Sequence, residues 1–477
     1  MQPVIHMRDT VHFTLNGTPV EVRAPDPTRT VLEWLREERR LTGTKEGCAE
    51  GDCGACTVMM IDPSGQVRAI NSCIQFLPMI DGCALVTVEG LGGADPVQKE
   101  LVAHHGSQCG FCTPGFVMAL HAHHARGGVA DSASISDAIA GNLCRCTGYG
   151  PIVRAGEKAS SSPRPQIAAP AFRDDEPLGY EHQGRRFVAP TTLDQMAQLC
   201  ETHPHAVILG GATDVGLWVT KQGRRLETVI SVMRVHELQA IKTTKTGISI
   251  GAAVRYADAH EALAKLHPSL KEYVRRLGAV QVRDSGTVVG NIANGSPIGD
   301  MPPVLIALGA SIRLRKGASE RALPLEQFFI AYGKQDRGPG EIVTHVDIPN
   351  PPKGAFFAAE KISKRFEQDI SAVSAGFIVY VEKGAVAEAR LAFGGMAGIP
   401  KRAARAEAAL IGKAWSEAGV QAAMTELAQD FQPLTDWRGS ADYRLAGARN
   451  LLLRFYLENS GSFGATRVLG LRSLAHG

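Results

Sequence analysis

The segment Gly47-Cys48-Ala49-Glu50-Gly51-Asp52-Cys53-Gly54-Ala55-Cys56, followed farther along by Cys73, decides the fold of the first part of the chain. Its spacing, C-x4-C-x2-C with a distant fourth cysteine, is the one by which a plant-type loop wraps a [2Fe–2S] cluster. The glycines allow backbone amides to approach the sulfurs and to adopt positive φ. Zinc is the main alternative, but zinc sites usually consist of two short Cys/His knuckles. We therefore predict that these four thiolates hold a [2Fe–2S] cluster.

A second quartet of cysteines follows, with the spacing Cys109-x2-Cys112 and Cys144-x-Cys146. Taken alone, this pattern is also compatible with zinc. The flanking residues favour a second cluster, because they place all four thiolates at predicted helix ends, where a helix N-terminus stabilises negative charge. Two one-electron carriers on one chain indicate electron transfer between a group that is oxidised and a group that is reduced.

The composition is that of an ordinary globular protein and excludes few classes. The 477 residues are too many for one hydrophobic core, so we expect several domains. The net charge of +3 argues against nucleic-acid binding, and no apolar stretch is long enough to cross a membrane. Residues 1–6 lack the features of an export signal. We expect a cytoplasmic chain whose cysteines are held by metal rather than by disulfides.

Hydrophobic periodicity predicts a small β-grasp module followed by a helical one. Residues 11–22 alternate in polarity around Asn16-Gly17, which predicts a hairpin. A helical pattern at 30–39, the cysteine loop and an apolar strand at 57–61 complete the first module. From about residue 95 the pattern becomes helical, with predicted helices at 96–105, 114–125 and 136–143 and the second quartet in the connecting loops.

A segment poor in bulky apolar residues, rich in Ser, Pro and Ala, then predicts a linker before an α+β domain and a final segment. Strands are predicted at 207–209, 229–230, 248–250, 288–289, 375–381 and 390–393, and helices at 193–200, 301–308 and 443–455. The predicted domains are 1–92 (ferredoxin-like), 93–158 (helical), 159–179 (linker), 180–352 (α+β) and 353–477 (C-terminal).

The run Ile208-Leu209-Gly210-Gly211-Ala212-Thr213-Asp214-Val215 is a predicted strand that leads into a glycine turn. The bare amides of such a turn can hold a pyrophosphate. Alone, the run is equally compatible with a plain strand end. Because G-x-G-x-x-G is missing, it does not predict a Rossmann site.

Taken together, the two quartets resemble the iron–sulfur module of the molybdenum hydroxylase family. The resemblance implies that Cys48, Cys53, Cys56 and Cys73 hold the cluster nearer the flavin. It also implies that Cys109, Cys112, Cys144 and Cys146 hold the cluster nearer molybdenum.

The stretch Gly286-Thr287-Val288-Val289-Gly290-Asn291-Ile292-Ala293-Asn294-Gly295-Ser296-Pro297-Ile298-Gly299-Asp300 is similar to the FAD signature of the same family. The resemblance implies FAD contacts from the glycine turn and from Thr287, Gly290, Asn291, Asn294, Ser296 and Asp300. It places Lys361 near the flavin ring, where a cation favours the reduced anionic ring. Leu277 stands where animal relatives have an aromatic residue against the ring.

The resemblance implies an α+β multidomain protein with a β-grasp ferredoxin-like domain, a four-helix-type [2Fe–2S] domain, a vanillyl-alcohol-oxidase-type FAD domain and an α/β C-terminal domain. No segment is large enough for a molybdopterin domain, so we expect the catalytic molybdenum site on a large partner subunit, in an α2β2 assembly. Electrons would pass through both clusters to FAD and on to NAD+. The fusion of clusters and flavin on one chain favours the xanthine-oxidising branch. An aldehyde or N-heterocycle hydroxylase, or a zinc-binding assembly protein without redox activity, remains open.

Overall fold

The computed structural model describes residues 6–172 and 175–461. Three parts of the predictions lie outside these residues. They are the start of the first domain with its expected lack of an export signal (1–5), two linker positions (173–174) and the end of the C-terminal domain (462–477).

The first module is a five-stranded β-grasp sheet, as predicted. Strands β1 (Thr10–Leu15) and β2 (Thr18–Arg23) form a hairpin around Asn16 and Gly17. Both turn residues have positive φ, 49° and 82°, as a two-residue type I′ turn requires. The remaining elements are α1 (Val31–Glu33), its π-helical continuation Trp34–Glu38, β3 (Thr57–Ile61), β4 (Val67–Asn71) and β5 (Ala84–Val86), and the sheet order is β2-β1-β5-β3-β4.

Strand β3 is buried on both faces, which explains the apolar run from Val58 to Ile61. Val58 and Met60 pack into the core of the first module. Met59 and Ile61 point the other way and pack with Phe116 of the helical module. The first two modules therefore share one strand as a common wall.

The second module has four helices, α2 (Pro96–Ala103), α3 (Thr113–Ala125), α4 (Ser132–Ala138) and α5 (Gly150–Ser160). The helix predicted at 136–143 was placed wrongly. Asp131 caps α4 by accepting a hydrogen bond from the Ser134 N–H, so the helix starts earlier, and it ends before the cysteines. Helix α5 was not predicted. Cys144 and Cys146 therefore lie in the loop 139–149, and only Cys112 occupies a helix N-cap.

The third module combines two sheets with surrounding helices. Its strands are β6 (Leu178–His182), β7 (Arg185–Ala189), β8 (Val207–Leu209), β9 (Thr228–Ser231), β10 (Ile241–Thr243), β11 (Gly247–Gly251), β12 (Ser311–Lys316), β13 (Ser319–Pro324), β14 (Phe329–Ala331), β15 (Lys334–Gln335) and β16 (Ile342–Pro349). Sheet β6-β7-β9-β8 has parallel pairs β7/β9 and β8/β9, whereas β10-β11-β16-β12-β13 is antiparallel and β14 pairs with β15. Its helices are α6 (Leu193–Thr202), α7 (Val215–Thr220), α8 (Tyr256–Leu266), α9 (Pro268–Arg275), α10 (Val280–Ser285), α11 (Val288–Ala293), α12 (Met301–Leu308) and α13 (Leu325–Phe328).

The strand predicted at 288–289 is wrong, because these residues begin helix α11. Two adjacent valines favour a strand by propensity. Thr287 overrides that preference as an N-cap, since its hydroxyl accepts a hydrogen bond from the Gly290 N–H at 3.0 Å. The helix then buries Val288 and Val289 in the main core of the module.

The last module is an antiparallel sheet with helices on it. Its elements are β17 (Phe356–Ile362), β18 (Val373–Glu382), β19 (Ala385–Gly394), β20 (Lys401–Arg402), α14 (Ala404–Leu410), α15 (Glu417–Asp430) and α16 (Ala441–Asn459). Helix α5 ends at Ser160 and strand β6 begins at Leu178, so each enters the predicted linker by two residues. The domain boundaries remain predictions.

None of the helices in 6–172 and 175–461 has the length and apolar character needed to cross a membrane.

Candidate cofactor sites

The first cysteine quartet converges in the loop before β3. The Sγ atoms of Cys56 and Cys73 lie 3.3 Å apart, and both side chains are buried. The thiol of Cys48 contacts those of Cys53 and Cys73. The structure therefore links all four predicted ligands through pairwise thiol contacts.

The surroundings of this group suit charged sulfur. The N–H of Cys53 and the N–H of Glu50 point at Cys48 Sγ, at 3.4 and 3.5 Å. Hydrogen bonds from the Cys53 and Cys73 thiols hold the pKa of Cys48 far below its ordinary value. A Cβ added to Gly47 would lie 2.9 Å from Cys53 Sγ. Amide donors and a loop without room for side chains fit a thiolate-bound cluster.

The second quartet is less buried than the first. Its thiols contact each other in two pairs, and each pair joins one cysteine of the C-x2-C segment to one of the C-x-C segment. Cys112 contacts Cys144, and Cys109 contacts Cys146. Burial and the neighbouring Cys144 raise the pKa of the Cys112 thiol to about 12. Cys109 and Cys146 are exposed. In the described ranges, no group of three or more His, Cys, Asp or Glu side chains is arranged to hold a metal ion as the side chains stand.

The loops that carry the two quartets are hydrogen-bonded to each other. The N–H of Leu143 donates to the carbonyl of Cys53 at 3.0 Å. The side-chain amide of Asn142 donates to the carbonyl of Gly54 at 2.9 Å. Gln281, from the third module, donates to Asn142 Oδ1 at 2.9 Å, so three modules meet at this point.

A cavity of about 710 Å³ lies in the third module, where the glycine turn after β8 faces the turn before α11. Such a volume is within the range of a cofactor pocket. Twelve of the predicted FAD contacts line it: Ile208, Gly210, Gly211, Ala212, Thr213, Asp214, Val215, Leu277, Thr287, Gly290, Asn291 and Asn294.

The two turns approach each other too closely for side chains. A Cβ on Gly211 would lie 1.8 Å from the carbonyl oxygen of Ser285. A Cβ on Gly210 would lie 3.1 Å from Thr287 Oγ1 of the facing turn. The adjacent Ala212 has φ of 62°, in the left-handed region. Glycine is therefore required where the turns meet, and glycines of both turns line the cavity, where bare amides can bind a pyrophosphate.

Two polar atoms at the cavity have no protein partner. Asn291 Oδ1 and the Tyr256 hydroxyl are buried without a hydrogen bond, and both residues line the cavity. Buried polar groups are normally paired, so these atoms indicate a bound group with its own donors. A hydroxyl-rich dinucleotide such as FAD fits this requirement.

Four predicted FAD residues do not line the cavity. Leu209 is buried in a hydrophobic core, and Ser296 accepts a hydrogen bond from the Ile298 N–H. Lys361 and Asp300 pair with each other, with Nζ 2.7 Å from Oδ2. Direct FAD contact by these four stays a prediction.

Sequence reasoning missed other lining residues, including Trp218, Tyr256, Gln335, Arg337 and Val343. Trp218 lies three positions after Val215 on α7, so helical periodicity could have found it. Gln335, Arg337 and Val343 belong to β15, β16 and the segment between them, and no local motif marks them.

The cavity adjoins the first quartet on two sides. At its Leu277 end, Gly278 accepts a hydrogen bond from the Gln368 N–H, and Gln368 Nε2 donates to the Asp52 carbonyl at 3.0 Å. On helix α7, Thr220 donates to the Ala49 carbonyl at 2.7 Å. The cysteine loop is thus fixed to two walls of the cavity.

Family models match the chain in four successive segments. A 2Fe-2S iron-sulfur cluster binding domain matches residues 13–75, and a [2Fe-2S] binding domain matches 87–157. The FAD binding domain in molybdopterin dehydrogenase matches 181–351, and the CO dehydrogenase flavoprotein C-terminal domain matches 358–459.

The chain belongs to the molybdenum hydroxylase family. This molybdenum hydroxylase chain is 31% identical to xanthine dehydrogenase of Emericella nidulans, over 94% of this chain and 38% of that protein. It is 29% identical to aldehyde oxidase 4 of Cavia porcellus, over 95% and 40%. The chain thus spans about two fifths of the curated relatives that it matches.

Solved structures give the same family. Carbon monoxide dehydrogenase from Hydrogenophaga pseudoflava superimposes with a TM-score of 0.54 at 28% identity, covering 56% of this chain and 94% of that one. Quinoline 2-oxidoreductase from Pseudomonas putida 86 gives 0.52 at 25% identity, covering 57% and 94%. These likenesses confirm the predicted fold class and the iron–sulfur and FAD domains.

Proposed function

We propose that this chain is the electron-transfer component of a xanthine dehydrogenase. It would take electrons from a molybdopterin site on a large partner subunit, in an α2β2 assembly, and pass them through two [2Fe–2S] clusters to FAD and NAD+. A reducing, cytoplasmic location suits eight cysteines that serve as metal ligands.

The observation that carries the electron-transfer role is the continuity of the three candidate sites, and the choice of xanthine is supported by the 31% identity to xanthine dehydrogenase over 94% of the chain. The cysteine loop of the first quartet is hydrogen-bonded on one side to the loop of the second quartet and on the other side to the walls of the cavity. FAD, when bound, joins one-electron and two-electron chemistry. The residues of the chain position the carriers in series and exclude side chains from the turns that face the cavity.

The second quartet is the exposed end of this series, which supports electron donation by a separate protein. Cys109 and Cys146 are exposed, and Phe111 beside them keeps 48% of its surface accessible. Apolar surface at a redox site favours docking of another protein. Gln108, directly before Cys109, is exposed as well.

Xanthine-dependent reduction of NAD+ by the assembled protein is the test. The chain would be purified from its native host with its large partner, and NADH formation would be followed at 340 nm with hypoxanthine, xanthine, aldehydes and quinoline. We expect activity with the purines. Activity with aldehydes or quinoline and none with purines would overturn the xanthine assignment while leaving the electron-transfer role intact.

A hydroxylase for aldehydes or N-heterocycles is the second candidate, because aldehyde oxidase 4 is 29% identical to the chain, against 31% for xanthine dehydrogenase, and quinoline 2-oxidoreductase is 25% identical over 57% of it. A zinc-binding assembly protein is the third, from the spacing of the second quartet. The visible spectrum separates it from the other two, since a colourless chain with zinc and no iron would end the redox proposal.

A further inference from the structure

Resting on the proposed cluster sites, we infer that Asn142 and Gln281 are positioning residues for electron transfer between the two clusters. They hold the two cysteine loops together so that the Leu143 N–H···O=C Cys53 hydrogen bond connects one ligand set to the other.

The hydrogen bond between the loops joins a predicted ligand of the first cluster to the neighbour of a predicted ligand of the second. Its acceptor is the carbonyl of Cys53 itself, a predicted ligand of the first cluster. Its donor is the N–H of Leu143, the residue directly before Cys144 in the second quartet. The connection between the two thiolates therefore crosses a single hydrogen bond.

Close backbone packing makes this contact possible. A Cβ on Gly54 would lie 2.1 Å from the Gly141 carbonyl oxygen, and one on Gly115 would lie 2.2 Å from the Gly54 carbonyl oxygen. Neither clash can be relieved by moving a side chain, because both neighbours are backbone atoms. The two loops approach as closely as backbone allows.

Asn142 and Gln281 fix this approach from within a buried site. Both side chains, and the Thr57 hydroxyl beside them, are almost fully buried. Asn142 Nδ2 donates to the Gly54 carbonyl, while Gln281 Nε2 donates to Asn142 Oδ1 at 2.9 Å and to Thr57 Oγ1 at 3.1 Å. A Cβ on Gly141 would lie 2.0 Å from Gln281 Oε1, so Gln281 also packs directly against the second loop.

The contribution of Gln281 means that the flavin module helps to set the distance between clusters to which it does not itself bind. In each transfer step one electron leaves a reduced cluster, where Fe2+ becomes Fe3+, and enters the other, where Fe3+ becomes Fe2+. No bond, proton or further reactant is exchanged.

Three variants of the holoprotein test the inference. Asn142→Leu keeps the size of the side chain and removes its hydrogen bonds. The Gly54 carbonyl still accepts from the Thr57 N–H and hydroxyl, so the loop should fold. Gln281→Leu removes the second partner. The double variant replaces the pair by apolar groups, which restores stability because no buried polar group is left unpaired.

The matched control is Asn71→Leu. Asn71 is equally buried, donates to the Gly51 carbonyl at 2.8 Å and contacts the Cys56 thiol through Oδ1 at 3.7 Å, so it lies at the first quartet but away from the second. It perturbs one cluster loop without touching the contact between the two.

The measurements are iron content, the low-temperature electron paramagnetic resonance spectrum of the fully reduced protein, and the rate of electron equilibration after flash photoreduction. We expect the variants with altered Asn142 or Gln281 to keep both cluster signals, to lose the magnetic splitting between them and to equilibrate several-fold more slowly. The double variant should regain stability but not the splitting, which a purely structural role would restore. Asn71→Leu should keep the splitting.

Unchanged splitting and rate in the double variant at full iron content would overturn the inference and leave the proposed function standing. A wild-type protein without two cluster signals would overturn the proposed function itself, and the inference with it.

Discussion

Lys361 and Asp300 form a buried ion pair, with Lys361 Nζ 2.7 Å from Asp300 Oδ2, behind the wall of the cavity that the sequence assigned to FAD. The Lys361 side chain is only 1% exposed. Its Nζ also donates to the Asp369 carbonyl, and Asp300 accepts from Ser371 as well. Through these contacts the ion pair stabilises the segment around β17, independently of any contact that it makes with a bound flavin.

Lys361→Met should therefore destabilise the protein even without flavin. It leaves the Asp300 carboxylate buried and unpaired, which typically costs about 3–5 kcal/mol. Urea unfolding of flavin-free protein measures the loss. Lys353→Met, at an exposed position, is the control and should change stability by less than about 0.5 kcal/mol. Equal stabilities for the two variants would show that the pair has no structural role.

Removing one predicted ligand should abolish one cluster and leave the other. We expect Cys56→Ser to lower the iron content from about four to about two atoms per chain, because each [2Fe–2S] cluster needs all of its thiolates. Cys83→Ser is the matched control, since Cys83 is also buried in the first module but lies outside both quartets. Iron analysis and visible absorption give the answer. Full iron content in Cys56→Ser would refute the assignment of the first quartet.

Replacing Asn291 should affect protein stability and FAD binding in different ways, because its Oδ1 has no protein partner. Asn291→Leu removes a buried acceptor that has no protein partner, so the flavin-free protein should be as stable as wild type or more stable. FAD binding should weaken by about 1–3 kcal/mol, because the bound group loses that partner. Quenching of FAD fluorescence and thermal unfolding of the flavin-free form measure the two effects. Weakened stability with unchanged FAD affinity would contradict this role.

Asp62 should make the contact between the first and third modules sensitive to acid. Burial alone would raise the pKa of Asp62, but Ser64, Arg68 and Arg255 lower it more, and the net shift is downward. Arg255 belongs to the third module and its NH1 lies 3.4 Å from Asp62 Oδ2.

Because the folded pKa lies below the unfolded one, the stabilisation is complete above the unfolded pKa of about 3.9 and is lost as the pH falls through the folded pKa. The denaturation midpoint of wild type should thus fall more steeply than that of Asp62→Asn below about pH 4. Parallel pH curves for the two proteins would rule out this contribution.

Local sequence was sufficient to predict those parts of the site whose residues belong to a short sequence motif. The spacing within each quartet and the two glycine-bearing turns identified residues that the structure does bring together. The hairpin at Asn16-Gly17 followed from turn chemistry in the same way.

Two helix predictions failed because local capping signals were not weighed: Thr287 caps a helix where a strand was predicted, and Asp131 starts another helix earlier than predicted. Other relationships depend on tertiary context, which no short segment carries. Asn142 and Gln281 are 139 positions apart, so their hydrogen bond has no signature in either segment. Arg337 reaches the cavity only because a β-sheet carries its segment there.

Strand β3 separates two hydrophobic cores, and this limits how the protein can be divided. A fragment containing only the ferredoxin-like module would expose Met59 and Ile61 to water, and an exposed apolar surface is prone to self-association. Expression of the two iron–sulfur modules as one piece avoids that problem. Evolutionary exchange of either module between relatives would accordingly require that both move together.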